Sequence, residues 1–166
     1  DDQEKNWGDL SLLKFTGSIP AGYKTADLIP ADARLTNGMK ITLAGFGLTQ
    51  PLVDENHQVQ ATELRKVSVK IDDINFSETE MMLKTDQGKG SCHGDSGGPG
   101  FVSVGGHSVI AGITSRADMK TDPQGSCVGL TVYTAIAPYL GWISDTVSFL
   151  DSADFKTAPI AEPPGF

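Results

Sequence analysis

The chain is poor in positive charge. Thirteen Lys and Arg stand against 21 Asp and Glu, a formal net charge of −8, with a pI near 4.7. That balance argues against a nucleic-acid partner, whose phosphates demand a basic face. Long apolar runs are missing too. No stretch of about 18 apolar residues occurs, so no membrane span is expected. No signal peptide is visible, but the sequence does not begin at a natural start, so this says nothing about export. Cysteine is nearly absent: Cys92 and Cys127 leave two readings open, one disulfide or two free thiols. Histidine is scarce as well, with His57, His93 and His107 as the three imidazoles available for a base. No internal repeat or low-complexity tract occurs, and no metal or cofactor is expected.

What is present points to one turn-rich domain. The 166 residues are 39% hydrophobic, enough to bury a core. Nineteen glycines and nine prolines favour a β protein with many turns. Leu10, Leu12, Leu13 and Phe15 read as an apolar strand, and residues 17–37 as a linker punctuated by Gly17, Pro20, Gly22, Pro30 and Asn37-Gly38. Residues 40–46 read as a strand. Residues 63–71 alternate, with Leu64, Val67, Val69 and Ile71 separated by charged or small residues, which reads as a half-buried strand. The acidic stretch 72–85 is given no strand. Residues 100–104 and 108–115 read as a hairpin around Gly105-Gly106, 116–126 as a polar loop and 130–133 as a last strand. Residues 135–150 read as an amphipathic helix with Trp142, Ile143 and Val147 inward. The tail 151–166 ends in paired prolines, which favour an extended segment.

The most chemically specific stretch is Cys92-His93-Gly94-Asp95-Ser96-Gly97-Gly98-Pro99. A serine hydroxyl among glycines suits a nucleophile in a tight turn whose backbone N–H groups face a developing oxyanion. Glycines there permit unusual dihedrals and close approach of a substrate. Gly94-Asp95-Ser96-Gly97-Gly98 also satisfies the GxSxG pattern of α/β-hydrolase esterases. That fold needs an acid and then a histidine after the serine. Only His107 follows, and the strand–turn–helix context is missing.

The octet resembles the nucleophile loop of the trypsin/chymotrypsin family of serine peptidases. Other stretches agree in order: Gly8 to Lys14 with the strand of the triad aspartate, and Ile41 to Gly47 with the "VAGWG" strand, Phe46 replacing Trp. Ala111 to Ser115 resembles "GIVSW", and Val132 to Thr134 with Pro138 to Ile143 resembles the last strand and helix. The resemblance covers roughly residues 7 to 148. It implies an all-β fold, a trypsin-like antiparallel Greek-key β-barrel, the second of two, with a C-terminal α-helix. On that expectation residues 1–16 hold the last strand of a missing first barrel. Residues 17–37 are the interdomain linker, 38–134 the C-terminal barrel, 135–150 the helix and 151–166 an extended tail.

The resemblance also assigns roles. Ser96 is the nucleophile, Asp9 orients the base, and the N–H groups of Gly94 and Ser96 form the oxyanion hole. Asp95 is the aspartate that pairs with a new N-terminal ammonium after zymogen cleavage, here one supplied by another chain unless Asp95 is repositioned. Cys92 and Cys127 match paired cysteines, which implies an oxidising compartment, secreted or periplasmic. Gly90 marks the floor of the primary pocket, with Ser91 and the rim residue His93 beside it. Ala117 and Thr131 form its walls and narrow it toward small or medium apolar side chains, as in elastase-like members. Ser115, Arg116 and Ala117 bond the substrate backbone, with Arg116 replacing the usual aromatic residue. The family's catalytic histidine precedes the triad aspartate, and only eight residues precede Asp9. None of the three histidines fits that role. The expectation is therefore a serine endopeptidase acting through an acyl-enzyme, inactive until joined by an N-terminal barrel. Its other partner is a protein or peptide substrate. A catalytically inactive homologue that only binds is the alternative.

Overall fold

A computed structural model of the chain describes residues 8–49, 61–85, 88–124 and 126–152. Its seven strands are β1 Asp27–Leu28, β2 Lys40–Gly45, β3 Arg65–Asp73, β4 Glu80–Lys84, β5 Pro99–Val104, β6 His107–Ala117 and β7 Leu130–Ala135. Strands β6, β5, β2, β3, β4 and β7 pair in that order, all antiparallel, and β7 pairs back onto β6. The result is a closed six-stranded barrel, which leaves none of the six strands as an open edge. Strand β1 lies outside it, parallel to β6. One helix, α1 Leu140–Asp151, follows a 3-10 turn at Ala137–Tyr139. This is the all-β barrel with a C-terminal helix that the sequence implied.

Alternation along the strands builds the core. Ile41 and Leu43 of β2, Val69 and Ile71 of β3, Val102 of β5 and Val109 and Ala111 of β6 point inward with Met81, Leu83 and Tyr133. Each large side chain so buried contributes on the order of 2 kcal/mol by transfer from water. Gly100 and Gly112 let the strands close around them. A Cβ on Gly100 would meet the Ile41 side chain, and one on Gly112 the Met81 methyl.

Three local expectations are corrected. Residues 10–15 pair with no strand among the described residues. Leu13 is 88% exposed and Phe15 72%. Strand β4 was not foreseen, since Met81, Met82 and Leu83 are buried on both faces and so do not alternate. On α1, Thr146 is buried while Val147 faces solvent, so the inward stripe runs one residue earlier than expected. The tail beyond Ser152 and the loop with His57 lie outside the described residues.

Candidate active site

Two consecutive β-turns shape the octet. Asp95 N–H donates to the Cys92 carbonyl at 3.0 Å and Gly98 N–H to the Asp95 carbonyl at 2.9 Å. Gly94 and Gly97 are the third residues of these turns, with φ of 93° and 77°. A positive φ at that place is the mark of a type II turn and strongly favours glycine. The bonds that close these turns use only the N–H of each fourth residue, Asp95 and Gly98. The N–H groups of Gly94 and Ser96 accordingly have no hydrogen-bond partner among the described residues. Ser96 itself is exposed at the crest.

The turns are pinned from both sides. Gly97 N–H donates to the Thr114 carbonyl at 2.9 Å, and Thr114 returns its N–H to the Gly98 carbonyl at 2.9 Å and its Oγ1 at 3.1 Å. The Asp95 carboxylate points the other way, into the barrel mouth. It accepts from Gly47 N–H at 2.9 Å and Cys92 N–H at 3.0 Å. Gly45 and Gly47 are required beside it, because a Cβ on either would collide with the carboxylate. Asp95 lines a cavity of ≈ 290 Å³ with Gly45, Gly47, Gly90 and Tyr133. The Cys92–Cys127 disulfide is formed, with Cα atoms 5.1 Å apart. It ties the octet to the loop before β7.

A second cavity, of ≈ 310 Å³, opens in front of Ser96. Ser91, His93, Ser115, Arg116, Ala117 and Thr131 all line it. Gly90 does not; it backs onto the first cavity, packed against the Thr85 side chain. Asp9 reaches the same region from the N-terminal segment. Its carboxylate accepts from Ser115 Oγ at 2.8 Å, and its carbonyl accepts from Thr134 Oγ1 at 3.0 Å. A β-bulge between Thr114 and Arg116 re-aims Ser115 toward it. His93 is exposed on the rim, and His107 lies exposed beside the β5–β6 turn.

Two participants were not singled out from the sequence. Glu80, 1% exposed, pairs with Arg116 at 2.6 Å. Asp122, 2% exposed, lines the Ser96 cavity. It accepts from Ser126 N–H and Oγ and from Cys127 N–H at 2.7–2.8 Å. Burial pushes the Asp122 carboxyl up, but the bonds from Ser126, Cys127 and Val128 outweigh it and hold it below the usual aspartate value. Among the described residues no group of three or more His, Cys, Asp or Glu is placed to hold a metal ion. No helix among them is long and apolar enough to cross a membrane.

The fold and site thus define a class by their architecture: a closed antiparallel barrel that presents a serine on twin glycine turns, with two unbonded N–H groups beside it. The comparisons narrow that class: the Trypsin family model matches residues 2–143, and the chain belongs to the trypsin family. It is 28% identical over 151 residues to CLIP domain-containing serine protease B4 of Anopheles gambiae, covering 84% of this chain and 41% of that protein. It is 32% identical over 151 residues to human Kallikrein-8, covering 88% and 55%. With Serine protease ea of Drosophila melanogaster it shares 27% over 155 residues, covering 84% and 38%. The chain thus spans between 38% and 55% of the length of these relatives.

Proposed function

We propose that this chain carries the nucleophile half of a serine endopeptidase active site. Ser96 attacks the peptide carbonyl and forms the acyl-enzyme, and the N–H groups of Gly94 and Ser96 stabilise the oxyanion. One such donor is worth on the order of 3 kcal/mol in the transition state. Asp9 orients the base. The base is a histidine from an N-terminal barrel outside this chain. The observation that carries the reading is the pair of unbonded N–H groups flanking Ser96, made so by Gly94 and Gly97 at positive φ. An inert homologue has no need of that geometry.

Further features support the finer parts. The Ser96 cavity is walled by Ala117 and Thr131, whose side chains leave room for a small or medium apolar group. Asp95 has two N–H donors and no ion-pair partner among the described residues, so an N-terminal ammonium entering its cavity would complete it. A formed disulfide fits a secreted or periplasmic protein. The test is labelling with a fluorophosphonate probe. In the full-length protein the probe should modify Ser96, and Ser96→Ala should abolish both labelling and peptide hydrolysis. Binding of peptides without labelling would favour the inactive homologue.

A further inference from the structure

Barrel closure brings together a partly buried ion pair, its Glu80 end fully enclosed, that the proposed reaction does not use. Strand β7 lies between β4 and β6, and its Val132 pairs with both Met82 and Arg116. Arg116 reaches past it to Glu80, Nη1 to Oε1 at 2.6 Å. Ser77 Oγ donates to the other carboxylate oxygen at 3.0 Å. The same Arg116 Nη1 donates to Ser115 Oγ at 3.4 Å, and Ser115 Oγ donates onward to Asp9 at 2.8 Å. The chain of contacts is thus Glu80, Arg116, Ser115, Asp9.

Its logic is that of a relay with one direction. A serine hydroxyl has one proton and two lone pairs. With a cationic donor on a lone pair, the Ser115 proton has one charged acceptor to turn to, the Asp9 carboxylate. Buried ion pairs add little stability over apolar side chains of like size, so this one invites another explanation. We propose that Arg116, anchored by Glu80, is a positioning residue for Asp9. It fixes the Ser115 hydroxyl as a donor to Asp9 and tempers the negative charge that Asp9 presents to the base. The inference rests on the serine-peptidase reading. Among the described residues, the charged and titratable groups in this region are Asp9 on the N-terminal segment, Glu80 on β4, Arg116 on β6, and His93 and Asp122 on the loops lining the same cavity. From β7 the neighbours are Thr131, Val132 and Thr134, none of which titrates.

The experiment is the pH profile of kcat/KM for an alanyl peptide anilide with the full-length protein, whose acid limb reports the base. Losing the Arg116 cation leaves the Asp9 charge less offset at the base, holds the proton on the base more firmly and moves the limb up. In Arg116→Gln the shift should be about 0.5 to 1 pH unit. Arg116→Lys, which keeps the cation, should restore the wild-type limb. Glu80→Gln leaves the cation unneutralised and should move the limb down. The double variant R116Q/E80Q leaves no lone buried charge, so it folds even if a single variant does not, and it should show a smaller upward shift. Limbs that stay at the wild-type pH in R116Q and in the double variant, with activity merely lowered, overturn the inference alone. A full-length wild type that neither hydrolyses the anilide nor labels at Ser96 overturns the peptidase reading itself.

Discussion

Asp122 shows how a single carboxylate can organise a loop through hydrogen bonds. Its oxygens collect Ser126 N–H, Ser126 Oγ and Cys127 N–H, which fixes the approach to a cysteine held at φ 62°. Its folded-state pKa lies below the ordinary value of 3.8. The stabilisation is therefore present above about pH 3.8 and is lost as the pH falls through the lower folded value. Asp122→Asn should cost about 1–3 kcal/mol at neutral pH, and the gap to wild type should shrink in strong acid; urea unfolding at pH 7 and pH 3 measures both. Gly45 poses a second residue-scale test. A Cβ there collides with Asp95, so Gly45→Ala should displace that carboxylate and cost Ser96 its probe reactivity in the full-length protein. Ser96-labelling kinetics equal to wild type would contradict this account of Asp95. The octet was legible in the sequence because its turns are encoded locally, by glycines at the third position of each. Asp122 was not, since a polar loop rich in Asp, Ser and Thr does not say which carboxylate turns inward.

At the scale of elements, strands with one wet face were readable. The alternation of Val67, Val69 and Ile71 marks β3, and Gly105-Gly106 marks the β5–β6 hairpin. Strand β4 was hidden because Glu80, Met81, Met82 and Leu83 are all buried, which erases the period of two. The Glu80–Arg116 pair was hidden for a related reason. The two residues lie 36 positions apart, and only the placement of β7 between their strands makes them neighbours. The disulfide joins elements in the same non-local way. It closes a span of 35 residues, worth about 4 kcal/mol in the chain-entropy account.

At the scale of the whole molecule, five of the ten exposed large apolar side chains among the described residues gather in one segment. Leu13, Phe15, Ile19, Tyr23 and Leu28 are all exposed along residues 13–28. Under the proposed function this segment faces the N-terminal barrel. Leu13→Ser with Phe15→Ser should then change the stability of the isolated chain by no more than about 0.5 kcal/mol. The same pair should destabilise the full-length protein by about 2 kcal/mol or more. Equal effects in the two contexts, read by thermal unfolding, would remove the segment from the interface. The central claim is that this chain supplies a nucleophile and its oxyanion donors but takes its base from elsewhere. Mass-spectrometric mapping of a fluorophosphonate adduct tests it most directly. The account expects modification of Ser96 in the full-length protein and none in the isolated chain. An unmodified Ser96 in the full-length protein, or rapid labelling of the isolated chain, would contradict it.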